Sequence, residues 1–217
     1  MKVILPLFII LLVCVITYAV SKAIKRSRCR SSSGAEEYGR DCEMLVYDLL
    51  RSVLPGNNVF CNLFFPVKKE DRVLWTETDS VCVTRGGVIV IEVKGAKGVI
   101  ENPEQGDWTQ RYGEKVLSFH NPYEQNKGHV IAVKKALGKA GITNVPVYNL
   151  VVFTDKNARF TNRYPWLMRA DKALEFAAML DDKAVIDKKT VAGVRKALTP
   201  YTKRREPTAA KQRNYMQ

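Results

Sequence analysis

Histidine is nearly missing from this chain. His120 and His129 are the only two in 217 residues, so histidine-based catalysis finds no partner pair to work with. Cysteine is sparse as well. Cys14, Cys29, Cys42, Cys61 and Cys82 are odd in number, widely spaced and without a Cys-x-x-Cys, which argues against a disulfide framework or a zinc site and fits a reducing compartment. Negative charge is in short supply: 22 acidic residues face 35 basic ones, for a formal charge of +13. Such an excess says nothing about fold, but it favours polyanionic partners, nucleic acid and anionic lipid being the two obvious ones. No internal repeat is present.

Charge is absent altogether from Val3 to Val20. As a helix this run spans roughly 27 Å, close to the hydrocarbon thickness of a bilayer. It reads as a retained transmembrane helix. The rival, a cleaved signal peptide, meets a poor cleavage site at Ala19-Val20-Ser21 with Lys22 directly after it. A lipoprotein site at Cys14 is disfavoured by the bulk of Val13. Lys22, Lys25, Arg26, Arg28 and Arg30 crowd the C-terminal flank, against Lys2 alone before the run, and the positive-inside rule then places the bulk of the protein in the cytoplasm. Residues 1–26 are therefore expected to be anchor and basic flank, and 27–35 a linker through Arg30-Ser31-Ser32-Ser33-Gly34. Residues 199–217 read as a disordered basic tail, with Lys203, Arg204, Arg205, Lys211 and Arg213 suited to nucleic acid or lipid.

The stretch between is patterned as one α/β domain, with 36–137 as its core and 138–198 completing it. Leu45, Val46, Leu49, Leu50 and Val53 recur at helical spacing from about Glu36 to Leu54, and Pro55-Gly56-Asn57 ends that helix. Val59 to Phe65 reads as a strand. Val73 to Val83 alternates as a second, Arg85-Gly86-Gly87 is a tight turn, and Val88 to Lys94 is β-branched on both faces, as a central strand is. Short strands are expected around Ile100 and from Trp108 to Phe119. A helix starts at Asn121-Pro122, with Asn as cap and Pro in the first turn, and runs to about Leu137. Val147 to Phe153 is another strand, and two amphipathic helices follow over 171–180 and 188–198. This order gives a mixed β-sheet flanked by helices, the restriction-endonuclease-like arrangement.

The hairpin carries the chemistry. A turn centred on Arg85-Gly86 pairs Val83 with Val88 and, counting outward, Asp79 with Glu92 on one face. Like charges directly opposite each other are destabilising, so two acids there require a cation between them or a raised pKa. A divalent metal is the economical answer. Lys94 lies two residues after Glu92, on the same face, where its ammonium suits orienting a water or stabilising charge on a phosphate. Glu-x-Lys in a strand is commonly just a solvated face; here it ends an apolar strand with Ile89, Ile91 and Val93 on one side and Val88 and Val90 on the other. Two flanking helices add candidates. Glu43 sits at the edge of the first helix's apolar stripe, with a solvated glutamate as its bland alternative. Gln125 lies in the first turn of the later helix, where free N–H groups suit a phosphate, with His129 a turn further along as a structural residue or phosphate contact.

These segments resemble the nuclease-related domain, NERD, a branch of the PD-(D/E)XK nuclease superfamily, over roughly Tyr38 to Leu137. The resemblance rests on Gly39-Arg40-Asp41-Cys42-Glu43, Thr76-Glu77-Thr78-Asp79, Gly87 through Lys94, Trp108, and Phe119 through Asn126 with His129. It implies Mg²⁺- or Mn²⁺-dependent phosphodiester hydrolysis, with Glu43, Asp79 and Glu92 as acids around the metal, Lys94 beside the attacking water and Gln125 in support. Asn121, Asn126 and His129 become the expected substrate contacts. Cys42, Thr78 and Ser80 depart from the residues usual at their positions, which bears on substrate preference more than on metal binding. A membrane-anchored nuclease acting on DNA is the leading expectation. The alternatives are a catalytically silent nucleic-acid-binding or membrane-tethered scaffold, and an adaptor whose charge serves lipid.

Overall fold

The structure, a computed structural model, describes residues 35–69 and 72–202. The apolar run at Val3–Val20, its basic flank, the linker and the basic cluster of the tail lie outside the described residues. Among those described, no helix is long and apolar enough to cross a membrane.

Helix α1 (Ala35–Val53) turns a stripe of Cys42, Val46, Leu49 and Leu50 inward and stops before Pro55, which has no N–H to continue it. Two long antiparallel strands follow, β1 (Val59–Lys69) and β2 (Arg72–Thr84), longer than their alternation alone implies. Then come β3 (Gly87–Lys94), the short strands β4 (Val99–Glu101), β5 (Trp108–Tyr112) and β6 (Lys115–Phe119), and helix α2 (Pro122–Lys139). The Asn121 side chain caps α2, its oxygen accepting from the N–H groups of Tyr123 and Glu124. After β7 (Val147–Phe153) the chain forms β8 (Arg159–Phe160), β9 (Leu167–Arg169), α3 (Ala170–Asp182) and α4 (Lys188–Leu198), the last capped by Asp187. Strands as short as β8 and β9 leave no readable alternation in a sequence, and the pattern there predicts none.

Instead of the single mixed sheet expected, the described residues form two. The larger has the order β1-β2-β3-β7-β9, with β3, β7 and β9 parallel; the smaller has the order β6-β5-β4-β8. One face of the larger sheet packs Ile89, Ile91, Leu150 and Val152 against α1 and α3. The other packs Val81, Val83, Val88 and Val90 against α2 and α4. A third cluster, around Ile100, Trp108, Val151 and Phe153, joins the two sheets, so the expected tryptophan is a core residue whose indole N–H is bonded to the Pro103 carbonyl. Strand β3 is thus buried on both faces along its length until Lys94. Each of its Val and Ile side chains contributes about 1.5–3 kcal/mol of burial, and that anchoring holds Glu92 and Lys94 firmly at its end.

Candidate active site

The β2–β3 register is the one counted from the turn: Thr84 pairs with Gly87, Val83 with Val88, and so on to Ser80 with Ile91. There the backbone ladder stops. In place of a further backbone pair, a carboxylate oxygen of Asp79 accepts the Val93 N–H at 2.8 Å. On its other side β2 pairs with β1 through Cys61–Ser80 and then Leu63–Thr78, with Asn62 between them in the left-handed region at φ 52°. Asn tolerates that conformation better than most residues. Asp79 therefore stands where the regular pairing of both neighbouring strands is interrupted, at a notch in the sheet.

Glu92 lines the same notch and is only 2 % exposed. One of its oxygens is 2.7 Å from the Lys94 ammonium, which also donates to the Gln125 side-chain oxygen at 3.3 Å. The second oxygen of Glu92 is buried and has no hydrogen-bond partner. The Nδ1 of His129 lies 3.5 Å from it. Burial, reinforced by the Lys94 charge, pulls the His129 pKa down to about 4, so the imidazole is neutral and its approach to Glu92 is a polar contact, not an ion pair. The same ring nitrogen lies 3.3 Å from the Asn126 side-chain oxygen.

The charge of Asp79 raises the pKa of both other acids. Burial pushes Glu92 up, the negative charge of Asp79 adds to it, and Lys94 opposes both. Asp79 is raised by burial too, against the Val93 N–H and Lys94, which favour its charged form. Glu43, reaching in from α1, is raised to about 7 by burial and then by Asp79 and Glu77, with Lys94 and Arg40 pulling the other way. Both paired acids carry a raised pKa, as like charges in register foresee.

This donor set fits a small divalent cation. Mg²⁺ typically takes one or two carboxylates and fills its other positions with water and substrate phosphate, and Asp79 with the unpartnered oxygen of Glu92 supplies hard oxygen donors of that kind. Glu43 does not complete a three-carboxylate cage: among the described residues, no three His, Cys, Asp or Glu side chains are gathered at ligating distance. It stands as an electrostatic neighbour of the pair.

Two expected substrate contacts turn out to be spent on the fold. Asn126 is fully buried, and its amide donates to the carbonyls of Val90 and Leu150 and to the Asn149 side chain, bolting α2 onto β3 and β7. Asn121 is buried as the α2 cap, and its amide donates to the Glu104 carbonyl. His129 is likewise inside, behind Glu92. Spacing alone cannot separate a polar residue facing a ligand from one facing a buried backbone.

Sequence reasoning missed the joint that sets α1 against the end of β3. The Tyr38 hydroxyl donates to the Gly95 carbonyl, and a Cβ on Gly95 would lie 2.5 Å from the Tyr38 ring and 2.7 Å from the Cys42 sulfur. Only glycine allows that approach, which brings Glu43 toward the notch. Cys42 thus fills this joint. Thr78 and Ser80, the other departures from the family pattern, are fully buried with unpartnered hydroxyls.

A family model described as nuclease-related domain matches residues 38–154, more than half of the chain. The chain belongs to that family. Membership places it with the PD-(D/E)XK-like nucleases and gives it a nuclease-related function. The match runs past the expected limit at Leu137 to Thr154, and the reason is structural: β7 pairs in parallel with β3, from Val88–Val147 to Lys94–Phe153. A NERD unit that stopped at α2 would leave that edge of β3 bare. An uncharacterized protein of Bacillus anthracis is similar at 37% identity over 60 residues, which is 27% of this chain and 28% of that protein. No solved structure matches.

Proposed function

We propose that this NERD protein hydrolyses phosphodiester bonds of nucleic acid, DNA foremost, with Mg²⁺ or Mn²⁺ held by Asp79 and Glu92. One observation carries the reading: a buried acid with an unpartnered oxygen and a half-buried one, both with raised pKa, share a notch with a lysine already bonded to the first. A purely structural Glu–Lys pair gains nothing from a second acid beside it. When bound, the cation would offset negative charge on the phosphate and acidify water.

The chain's own groups do the rest. Lys94, a quarter exposed, points its ammonium to where a phosphate can approach, and Glu92 and Gln125 fix that orientation. It then donates to the attacking water or to the phosphate oxygen on which charge grows. Glu43, with a pKa near 7, is poised to exchange a proton at neutral pH. His129, neutral and behind Glu92, closes the rear of the site to water. The +13 charge supplies long-range attraction for the substrate, and the apolar run at Val3–Val20 would tether the domain on the cytoplasmic face of a membrane.

The full chain, purified in mild detergent, should cleave plasmid or oligonucleotide DNA with Mg²⁺ or Mn²⁺ and be inert in EDTA. Substrate affinity should fall steeply between about 50 and 200 mM salt, because phosphate contacts release counterions. Metal-independent cleavage, or affinity flat with salt, would overturn the proposal; salt-sensitive binding without cleavage under any metal would leave a nucleic-acid-binding scaffold.

A further inference from the structure

Two strands away from the notch lies a second feature that none of the proposed chemistry uses. A cleft of about 870 Å³ opens along β9, the edge strand of the large sheet, between β8 and α3. Its floor is apolar, with half-buried Phe160, Met168 and Phe176. Its rim is basic: Arg159, Arg163, Arg169 and Lys172 are all exposed. Lys172 is paired with Glu175 at 2.7 Å, but among the described residues no acid lies within ion-pair distance of the three arginines. Arg169 gives one guanidinium nitrogen to the Ala158 carbonyl, which braces the wall and leaves its other donors free.

The cleft and the candidate site lie at the same end of the large sheet, with the buried Phe153 between them. Lys94 pairs with Phe153 and Phe153 with Arg169, so Lys94 and Arg169 occupy one rung of the sheet, two strands apart. At the usual strand spacing that is about 10 Å. The Arg159 N–H is bonded to the Gly98 carbonyl, which ties β8 to the loop leaving Lys94. A chain of phosphates with one member at Lys94 would bring its next members over the arginine rim. The aromatic floor beneath suits the flat face of an unpaired base.

We infer that this cleft is a second subsite of the nucleic-acid site, holding the one or two nucleotides that follow the scissile phosphate along a single strand. Their phosphates lie on Arg159, Arg163 and Arg169, and a base lies on Phe160. A paired base cannot reach the floor, so the subsite favours single strands and frayed ends over intact duplex. The inference rests on the nuclease reading of the notch.

The test uses the full chain in detergent with EDTA present, a fluorescein-labelled single-stranded 12-mer, the matching duplex, and vesicles containing phosphatidylserine. The double variant Arg159→Ala/Arg163→Ala should bind the single strand at least about tenfold more weakly, with a salt slope smaller by roughly 0.7 for each phosphate that the variant no longer neutralises. Phe160→Leu should lower single-strand affinity and leave duplex affinity unchanged. Hydrolysis of bis(4-nitrophenyl) phosphate, which reaches only the notch and is measured separately with Mg²⁺ or Mn²⁺ in place of EDTA, should be the same in every variant. Unchanged single-strand binding in the double variant overturns the inference, as does a loss confined to the vesicles, which would assign the cleft to lipid. If no variant or parent hydrolyses the small diester while the single-strand losses appear, the subsite stands and the hydrolytic reading of the notch falls.

Discussion

Asp79→Asn should reduce metal-dependent cleavage to below about a thousandth of the wild-type rate while leaving the metal-free protein as stable as before or more so. The asparagine keeps an oxygen to accept the Val93 N–H, so the notch retains its shape. What disappears is a negative charge that raises the pKa of both Glu92 and Glu43. The sign follows from linkage. An acid whose folded pKa is raised binds more protons folded than unfolded, so its contribution to stability declines as pH climbs from the ordinary carboxylate value near 4 to the folded one near 7. Removing Asp79 moderates that decline. The variant's gain should therefore grow between about pH 5 and 8, reaching on the order of 1 kcal/mol, and the stabilisation that Mg²⁺ or Mn²⁺ gives the wild type should be lost. Thermal melts at both pH values, with and without metal, alongside cleavage measure all of this. A variant that melts earlier without metal, or cleaves normally, would refute the assignment of Asp79.

Lys94→Ala is expected to separate binding from turnover. Cleavage should drop by about 10²–10³-fold, the range seen when one preorganised donor is removed, yet the stabilisation by divalent metal should survive, because the carboxylates remain and a competing cation has gone. Stability without metal should change in the direction opposite to that of the Asp79 variant. Lys94 lowers the pKa of Glu92, Asp79 and Glu43, so its loss pushes all three further up and leaves Glu92 without its partner at 2.7 Å. The deficit should be large at pH 8 and shrink toward pH 5, where Glu92 keeps its proton. Loss of the metal effect together with activity would make Lys94 a structural residue; wild-type turnover would remove it from the chemistry.

What was legible in the sequence was local. The Arg85-Gly86 turn set the register that brings Asp79 to Glu92, and β-branched residues on both faces marked β3 as central, because both follow from strand alternation within a few residues. The helix at 122–139 announced itself through its Asn121 cap and the one at 188–198 through its amphipathic pattern. What depended on distant partners stayed hidden. Asn126 and a ligand-facing asparagine have the same sequence signature, and only the carbonyls of Val90 and Leu150 above it reveal which it is. The same holds for the Tyr38–Gly95 joint, for the split into two sheets, and for the arginine cleft, whose members come from β8, β9, the segment between them and α3.

The closed end of the hairpin has a bearing on how substitutions would be distributed in a selection for lost activity. The Arg85 N–H is held by the Asp181 carboxylate and its carbonyl by the Ile186 N–H, while the Val88 N–H is held by the Pro146 carbonyl. A Cβ on Gly86 would fall on the Leu180 carbonyl oxygen, and one on Gly87 would lie 2.5 Å from that of Pro146. The turn is seated in a socket of backbone that cannot yield. A side chain added there lifts the whole of β3, a rigid rod buried on both faces, and displaces Glu92 and Lys94 roughly 20 Å away. Inactivating alleles should therefore cluster at two separated places, the carboxylates themselves and a pair of glycines that touch neither substrate nor metal.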